Sequence, residues 1–220
     1  MKFAFLTLLF LTQTVLAGVY TENTWKNPQI IVCFADAEED IRVENGFKIK
    51  VKNWSKSNRK NVQKWVNEEY SEARTGIYFT GFKSCSQETE ADVILFYNSN
   101  SYIKRFVLGD IDGVAGDLGP RKNDKVDGFP GARSLVAISK TGMNKGTVIH
   151  EFGHVAGLAH EHNHYDAPKD DKSCPHYERS FSTKLEYTDF DPASIMSYCS
   201  IKLKKLSNGD VSLLKEMYPN

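Results

Sequence analysis

Residues 147–164 read TVIHEFGHVAGLAHEHNH, and no other stretch constrains the fold of this 220-residue chain so tightly. Within it His150, Glu151, His154, Gly157 and His160 form the pattern HExxHxxGxxH. Two histidines four residues apart project from one face of a helix, so His150 and His154 can grip a single metal ion. Glu151 sits beside them without facing the same point, which leaves its carboxylate free to act on water held by that metal. Gly157 follows almost one turn later. Without a Cβ it can adopt the left-handed conformation that ends a helix and turns the chain, and that bend lets His160 return as a third ligand. Three neutral imidazoles around Zn2+ leave one position open, which is the arrangement of a catalytic rather than a structural zinc. A bare HExxH also occurs on exposed helices that bind nothing. The extension through Gly157 and His160 is what favours a zinc site.

A chain of this length can form one domain with a substantial core, or at most two small subdomains sharing a cleft. The first seventeen residues, MKFAFLTLLFLTQTVLA, place Lys2 before a short apolar run and end on small residues at Val15 and Ala17. That is the pattern of a secretory signal peptide cut after Ala17, and the run is too short for the ~20 residues of a membrane span. The expected mature chain, 18–220, is therefore extracellular (periplasmic in a bacterium) and is not inserted in a membrane. Removing Lys2 leaves 27 basic residues against 28 acidic ones. This balance advertises neither a nucleic acid nor a membrane surface as partner. The basic residues between Lys48 and Lys64 have no acid among them and read as a solvated face more readily than as an anion-binding patch. Cys33, Cys85, Cys174 and Cys199 all survive cleavage, and an even number in an exported chain suggests two disulfides. Of the three pairings, Cys33 with Cys85 and Cys174 with Cys199 keeps each bridge within one half of the chain.

The elements around the histidine motif read as mixed α and β. Ile30-Ile31-Val32-Cys33-Phe34, Ile77-Tyr78-Phe79, Asp92 to Phe96 and Ser134 to Ile138 are short, apolar and β-branched or aromatic, as buried strands are. Phe47, Ile49 and Val51 alternate with lysines and suggest a half-exposed strand. Val62, Trp65, Val66, Tyr70 and Ala73 recur at helical spacing, predicting one helix between Ser57 and Arg74 that stops at Gly76. Trp65 is expected in the core. A strand, a long helix and a second strand imply a parallel crossover. Residues 18–29 look like a short extended arm, and little regular structure is predicted between the histidine motif and Ser194. Ser207 and Asp210 form a capping box that opens a terminal amphipathic helix carrying Leu213, Leu214 and Met217. In the Gly- and Asp-rich stretch 109–119, Asp110, Asp112 and Asp117 can supply oxygen ligands to Ca2+, although solvated acids in a turn-rich loop are the favoured reading.

The histidine stretch resembles that of the metzincin zinc endopeptidases. Two further places carry the resemblance: Ser194-Ile195-Met196-Ser197-Tyr198 is similar to the metzincin Met-turn, and LSNGDVSLLKEMY at 206–218 looks like the closing helix of astacin-like enzymes. What the resemblance implies is an α/β (α+β) fold divided at the zinc motif. An upper subdomain of about 18–157 would hold a twisted, mostly parallel sheet and two long helices. A smaller, irregular lower subdomain of about 158–220 would end in a helix, with an extended protein or peptide substrate in the cleft between them. It implies zinc held by His150, His154 and His160, Glu151 as the base that activates zinc-bound water, and Met196 as an apolar floor. Tyr198 would hydrogen-bond the developing oxyanion, and Val114 to Gly116 would be an antiparallel edge strand that pairs with substrate. Glu161, directly after the third histidine, would meet the amino group of a chain beginning at Gly18. The stretch after Glu161, His162-Asn163-His164-Tyr165-Asp166, lacks the arginine-rich continuation typical of astacins. His162 and His164 are expected to be solvent-exposed. The resulting expectation is a secreted, monomeric zinc endopeptidase. A binding module that keeps the metal without catalysis, or a zinc hydrolase of another amide, are the rivals.

Overall fold

The computed structural model describes residues 18–36, 41–43, 47–49, 52–88, 90–98, 113–115, 118–120, 131–168, 185–197 and 203–219. The export segment 1–17, Asp110, Asp112, Asp117, Gly116, Cys174, Cys199 and Tyr198 lie outside those residues. Nine strands run β1 (Val19–Thr21), β2 (Gln29–Phe34), β3 (Ile41–Val43), β4 (Phe47–Ile49), β5 (Tyr78–Ser84), β6 (Val93–Asn98), β7 (Gly113–Ala115), β8 (Ser134–Ser139) and β9 (Leu185–Tyr187). Helices α1 (Lys56–Glu69), α2 (Glu72–Thr75), α3 (Lys145–Val155) and α4 (Asn208–Met217) complete the described elements, with one 3-10 turn at Glu161–Asn163.

The apolar, β-branched runs form one five-stranded sheet in the order β5-β2-β6-β8-β7. Its first four strands are mutually parallel, and β7 closes one edge antiparallel to β8. Because side chains alternate across a sheet, Val32, Phe34, Val93, Leu95, Val136 and Ile138 face one way. There they pack with Val62 and Val66 of α1 and Val148, Ile149, Phe152 and Val155 of α3. Their neighbours Cys33, Ile94, Phe96, Leu135 and Ala137 form a second apolar cluster with Cys85. The Cys33–Cys85 disulfide is formed, as expected, and ties the loop after β5 to β2. The protein is thus a mixed α/β fold with both long helices packed into the same cluster on one face of a mainly parallel sheet.

Three expectations need correction. The single helix predicted from Ser57 to Arg74 is two, α1 and α2, separated at Tyr70 and Ser71, which are extended. Tyr70 leaves the helix because its ring is buried against Phe79 and its hydroxyl donates to the Ile149 carbonyl of α3 at 2.8 Å. Trp65 is only half-buried, at the margin of the core. The stretch between the histidine motif and Ser194, expected to hold little regular structure, contains a strand that pairs with the extended arm at 18–29. β1 pairs antiparallel with β9, a strand missed in the irregular stretch, and its other side bonds the chain around Leu158. Among the described residues, no helix is long and apolar enough to cross a membrane.

Candidate metal centre

Helix α3 follows β8 after a five-residue turn, 140–144. Asn144 caps it by accepting from the Thr147 amide at 3.1 Å. Lys145, in its first turn, pairs with Glu69 at 2.9 Å and Glu68 at 3.0 Å at the end of α1. The far end is held by three donors from elsewhere. The Gly119 amide, the Trp25 indole and the Tyr218 hydroxyl donate to the carbonyls of His154, Val155 and Ala156, at 2.8, 2.7 and 2.8 Å. The last carbonyls of a helix lack the usual partner four residues on; His154 also accepts from the Gly157 amide at 2.9 Å, and the three donors from elsewhere fix this helix end to the rest of the fold. Gly157 then takes φ 98°, the left-handed region where a Cβ is strained. Beyond it the chain runs beside β1, with Thr21 donating to the Gly157 carbonyl and Ala159 to the Val19 carbonyl. This pairing carries His160 back towards α3.

The three imidazoles meet as expected. His160 Nε2 lies 3.2 Å from His150 Nε2 and 3.0 Å from His154 Nε2. His150 Nδ1 donates to the Ile195 carbonyl and His154 Nδ1 to the Leu158 carbonyl, both at 2.8 Å. A carbonyl can only accept, so each proton sits on Nδ1 and each Nε2 presents a lone pair. With His160 in the same tautomer, a cation between these nitrogens would take up all three lone pairs at once. Tetrahedral zinc with bonds of about 2.0–2.1 Å would separate its nitrogens by roughly 3.3 Å, within a few tenths of an ångström of the spacing present. The buried His150-His154-His160 group can therefore hold a metal ion. Burial also pulls the His150 imidazole down to about 4, against a bond to Ile195 that raises it, so the ring is neutral and ready to ligate at neutral pH.

Glu151 is buried beside this group. Burial pushes its carboxyl up to about 8, opposed by the backbone amide of Ala115, which donates to it. A dication nearby would bring the value down again. The carboxylate lies against edge strand β7, where a Cβ at Gly113 would stand 2.8 Å from Glu151 Oε1. Met196 is buried beneath the helix, and a Cβ at Gly153 would stand 2.5 Å from its Sδ. Thus the only residue type that leaves room for the methionine occupies that turn of α3.

No known family matches this sequence, and no curated protein does. The chemistry of the site rests on its own geometry.

His162 and His164, expected in solvent, are both buried. The His162 ring stacks on that of His160, with centroids 4.7 Å apart. His164 donates from Nε2 to the Thr188 carbonyl at 2.7 Å and accepts at Nδ1 from the Asp166 amide, which identifies it as a brace between two loops. Glu161 is fully buried; Oε1 accepts from the Asp191 amide at 2.6 Å, and the Val19 amide also donates to the carboxylate. Its Oε2 finds no hydrogen-bond partner among the described residues. A Cβ on Gly18 would lie 3.7 Å from that oxygen. Burial, with Asp210 and Asp191 nearby, raises the Glu161 carboxyl to about 7. Sequence reasoning missed Gly113, Gly153 and the carbonyls of Leu158 and Ile195. Only Gly153 left a trace, as a glycine inside a strongly predicted helix.

Proposed function

We propose that the protein is a secreted zinc endopeptidase of the astacin-like metzincin type, hydrolysing peptide bonds in proteins or peptides. The observation that carries this reading is the convergence of three imidazole nitrogens beside a buried glutamate that lies against β7, the edge strand of the sheet among the described residues. His150, His154 and His160 would hold the zinc. When bound, that ion polarises the scissile carbonyl and lowers the pKa of water toward about 7. Glu151 removes the proton from the attacking water and delivers it to the leaving nitrogen, so that no covalent intermediate with the protein forms. Strand β7 supplies the sheet edge along which an extended peptide adds as one more strand. Its Ala115 amide meanwhile keeps the Glu151 carboxylate turned towards the reacting atoms. The Tyr198 phenol donates to the oxyanion that develops.

Export after Ala17 exposes the amino group of Gly18, whose nitrogen already donates to the Asp189 carbonyl at 2.9 Å. As an ammonium group it has two further donors, and the unpartnered Glu161 Oε2 is the acceptor within reach.

The deciding experiment incubates the protein starting at Gly18 with a mixed peptide library, with and without a chelator, beside Glu151→Gln. Cleavage should stop with the chelator. In Glu151→Gln it should fall by about 10²–10⁴-fold, the usual contribution of a positioned acid–base group, with bound zinc retained. Absence of cleavage by the untreated protein at every pH would overturn the enzyme reading. Full cleavage by Glu151→Gln would overturn the assigned base, and folded protein free of zinc would overturn the metal centre.

A further inference from the structure

The terminal helix α4 contributes no ligand, yet its first turn reaches the metal centre through one buried carboxylate. Asp210 is 2% exposed and accepts from three neutral donors. The Ser194 hydroxyl donates to its Oδ1 at 2.6 Å, and the Ile195 and Ser207 amides donate to its Oδ2 at 3.0 and 2.9 Å. The Ser207 bond belongs to the capping box that starts α4. The other two leave the helix and fasten the turn that carries Met196. Ser194 Oγ, held by Asp210, in turn accepts the Met196 amide at 3.0 Å.

This turn supports two ligand positions. Its Ile195 carbonyl orients His150 through the 2.8 Å bond from Nδ1. Its Met196 carbonyl accepts the amide of Glu161, the residue next to His160, at 3.1 Å. Asp210 thus grips the Ile195 amide, and the peptide plane that follows Ile195 carries the carbonyl facing His150. A helix N-cap needs only the Ser207 side; nothing in capping requires two bonds to residues 16 and 15 positions upstream. A buried carboxylate is costly unless its lone pairs are filled, and here the filling groups all belong to the support of the metal centre or to the cap.

We infer that Asp210 is a positioning residue of the metal centre, setting the orientation of His150 through the Ile195 carbonyl. This inference rests on the reading of His150, His154 and His160 as a zinc site, and its tests separate the two. Outer partners of metal-bound histidines typically change metal affinity by about 10–100-fold when removed. Asp210→Asn preserves shape while weakening the charge-assisted bonds. It should raise the zinc Kd by about 10–100-fold and shift the visible absorption band of the cobalt-substituted protein. Leu214→Val trims the packing of the same helix without touching Asp210. It should lower the unfolding midpoint while leaving the zinc Kd and the cobalt band those of the unsubstituted protein. Should Asp210→Asn fail to fold, Ser194→Ala removes one link of the chain and should move both readouts in the same direction by less.

A metal-free readout keeps the two readings apart. In zinc-free protein the His150 Nδ1 proton should give a protected imidazole resonance in NMR, and Asp210→Asn should speed its exchange with water. Loss of that protection together with failure of the unsubstituted protein to bind zinc would support the positioning and sink the metal reading. Wild-type zinc affinity, cobalt band and proton exchange in Asp210→Asn would overturn the inference and leave the metal reading standing.

Discussion

A methyl group added at Gly153 would stand 2.5 Å from the sulfur of Met196, which is 1% exposed, and would have to displace it. Alanine gains about 1 kcal/mol over glycine in helix propensity, but overpacking a tight core costs about 1–3 kcal/mol. Gly153→Ala is therefore expected to lower the urea midpoint despite the better helix former, and an unchanged or raised midpoint would rule out the tight contact. At Gly18 the expectation is a gain. Protein starting at Gly18 should melt several degrees above the same protein retaining Ala17, as expected for about 1–3 kcal/mol from satisfying the buried Glu161 oxygen with a charged donor. Equal melting temperatures would remove that ion pair from the account. The convergence of His150, His154 and His160 beside Glu151 was legible in the sequence because such side chains at these spacings fit few geometries. The carbonyls of Ile195 and Leu158 and the amide of Ala115 were not, because every residue carries the same backbone groups and nothing in the sequence marks which of them will face a histidine or a carboxylate.

At the scale of elements, the joint between α1 and α3 is electrostatic as well as apolar. Glu69 is buried at the end of α1 among Lys145, Arg74 at 2.6 Å and the Leu206 amide. Burial alone would raise its carboxyl, but Lys145, Arg74 and that amide outweigh it and hold the group below its ordinary 4.5. A carboxyl depressed in the folded state contributes stability that is complete above its unfolded value and is lost as pH falls through its folded value. Glu69→Gln should thus cost about 2 kcal/mol at neutral pH. The gap to the unsubstituted protein should narrow from about pH 5 toward pH 3; a gap independent of pH would contradict this assignment. The sheet strands were readable because continuous apolar runs have few alternatives. The break between α1 and α2 was not, since helical spacing continues straight through Tyr70 and only the pull of Phe79 and Ile149 on that side chain takes it out of register. Strands β1 and β9 were likewise hidden, because each is three residues long and becomes a strand only beside the other.

Across the whole molecule, the Cys33–Cys85 bridge spans 52 residues and encloses α1, α2 and β5. A closed loop of that size is worth about 4 kcal/mol in the chain-entropy account. Replacing both cysteines with serine should lower the melting temperature markedly while leaving zinc affinity intact, because the bridge lies in the cluster on the sheet face away from α3. A matching loss of zinc affinity would show that the two regions are coupled. The larger apolar cluster is continuous from Trp25 through Phe152 and Met196 to Tyr218, so the residues after α3 share the core of those before it. The sequence by itself determined the histidine triad as a candidate metal group, the capping box and the main strands, and favoured Cys33–Cys85 among three possible pairings, because each follows from local spacing or from a scarce side chain with few partners. Tertiary structure alone decided that His162 and His164 are buried and that β1 braces the chain leading into His160. It alone put the Asp210 carboxylate behind His150. These are contacts between segments far apart in the chain, and local sequence carries no record of which distant backbone group will fill a given lone pair.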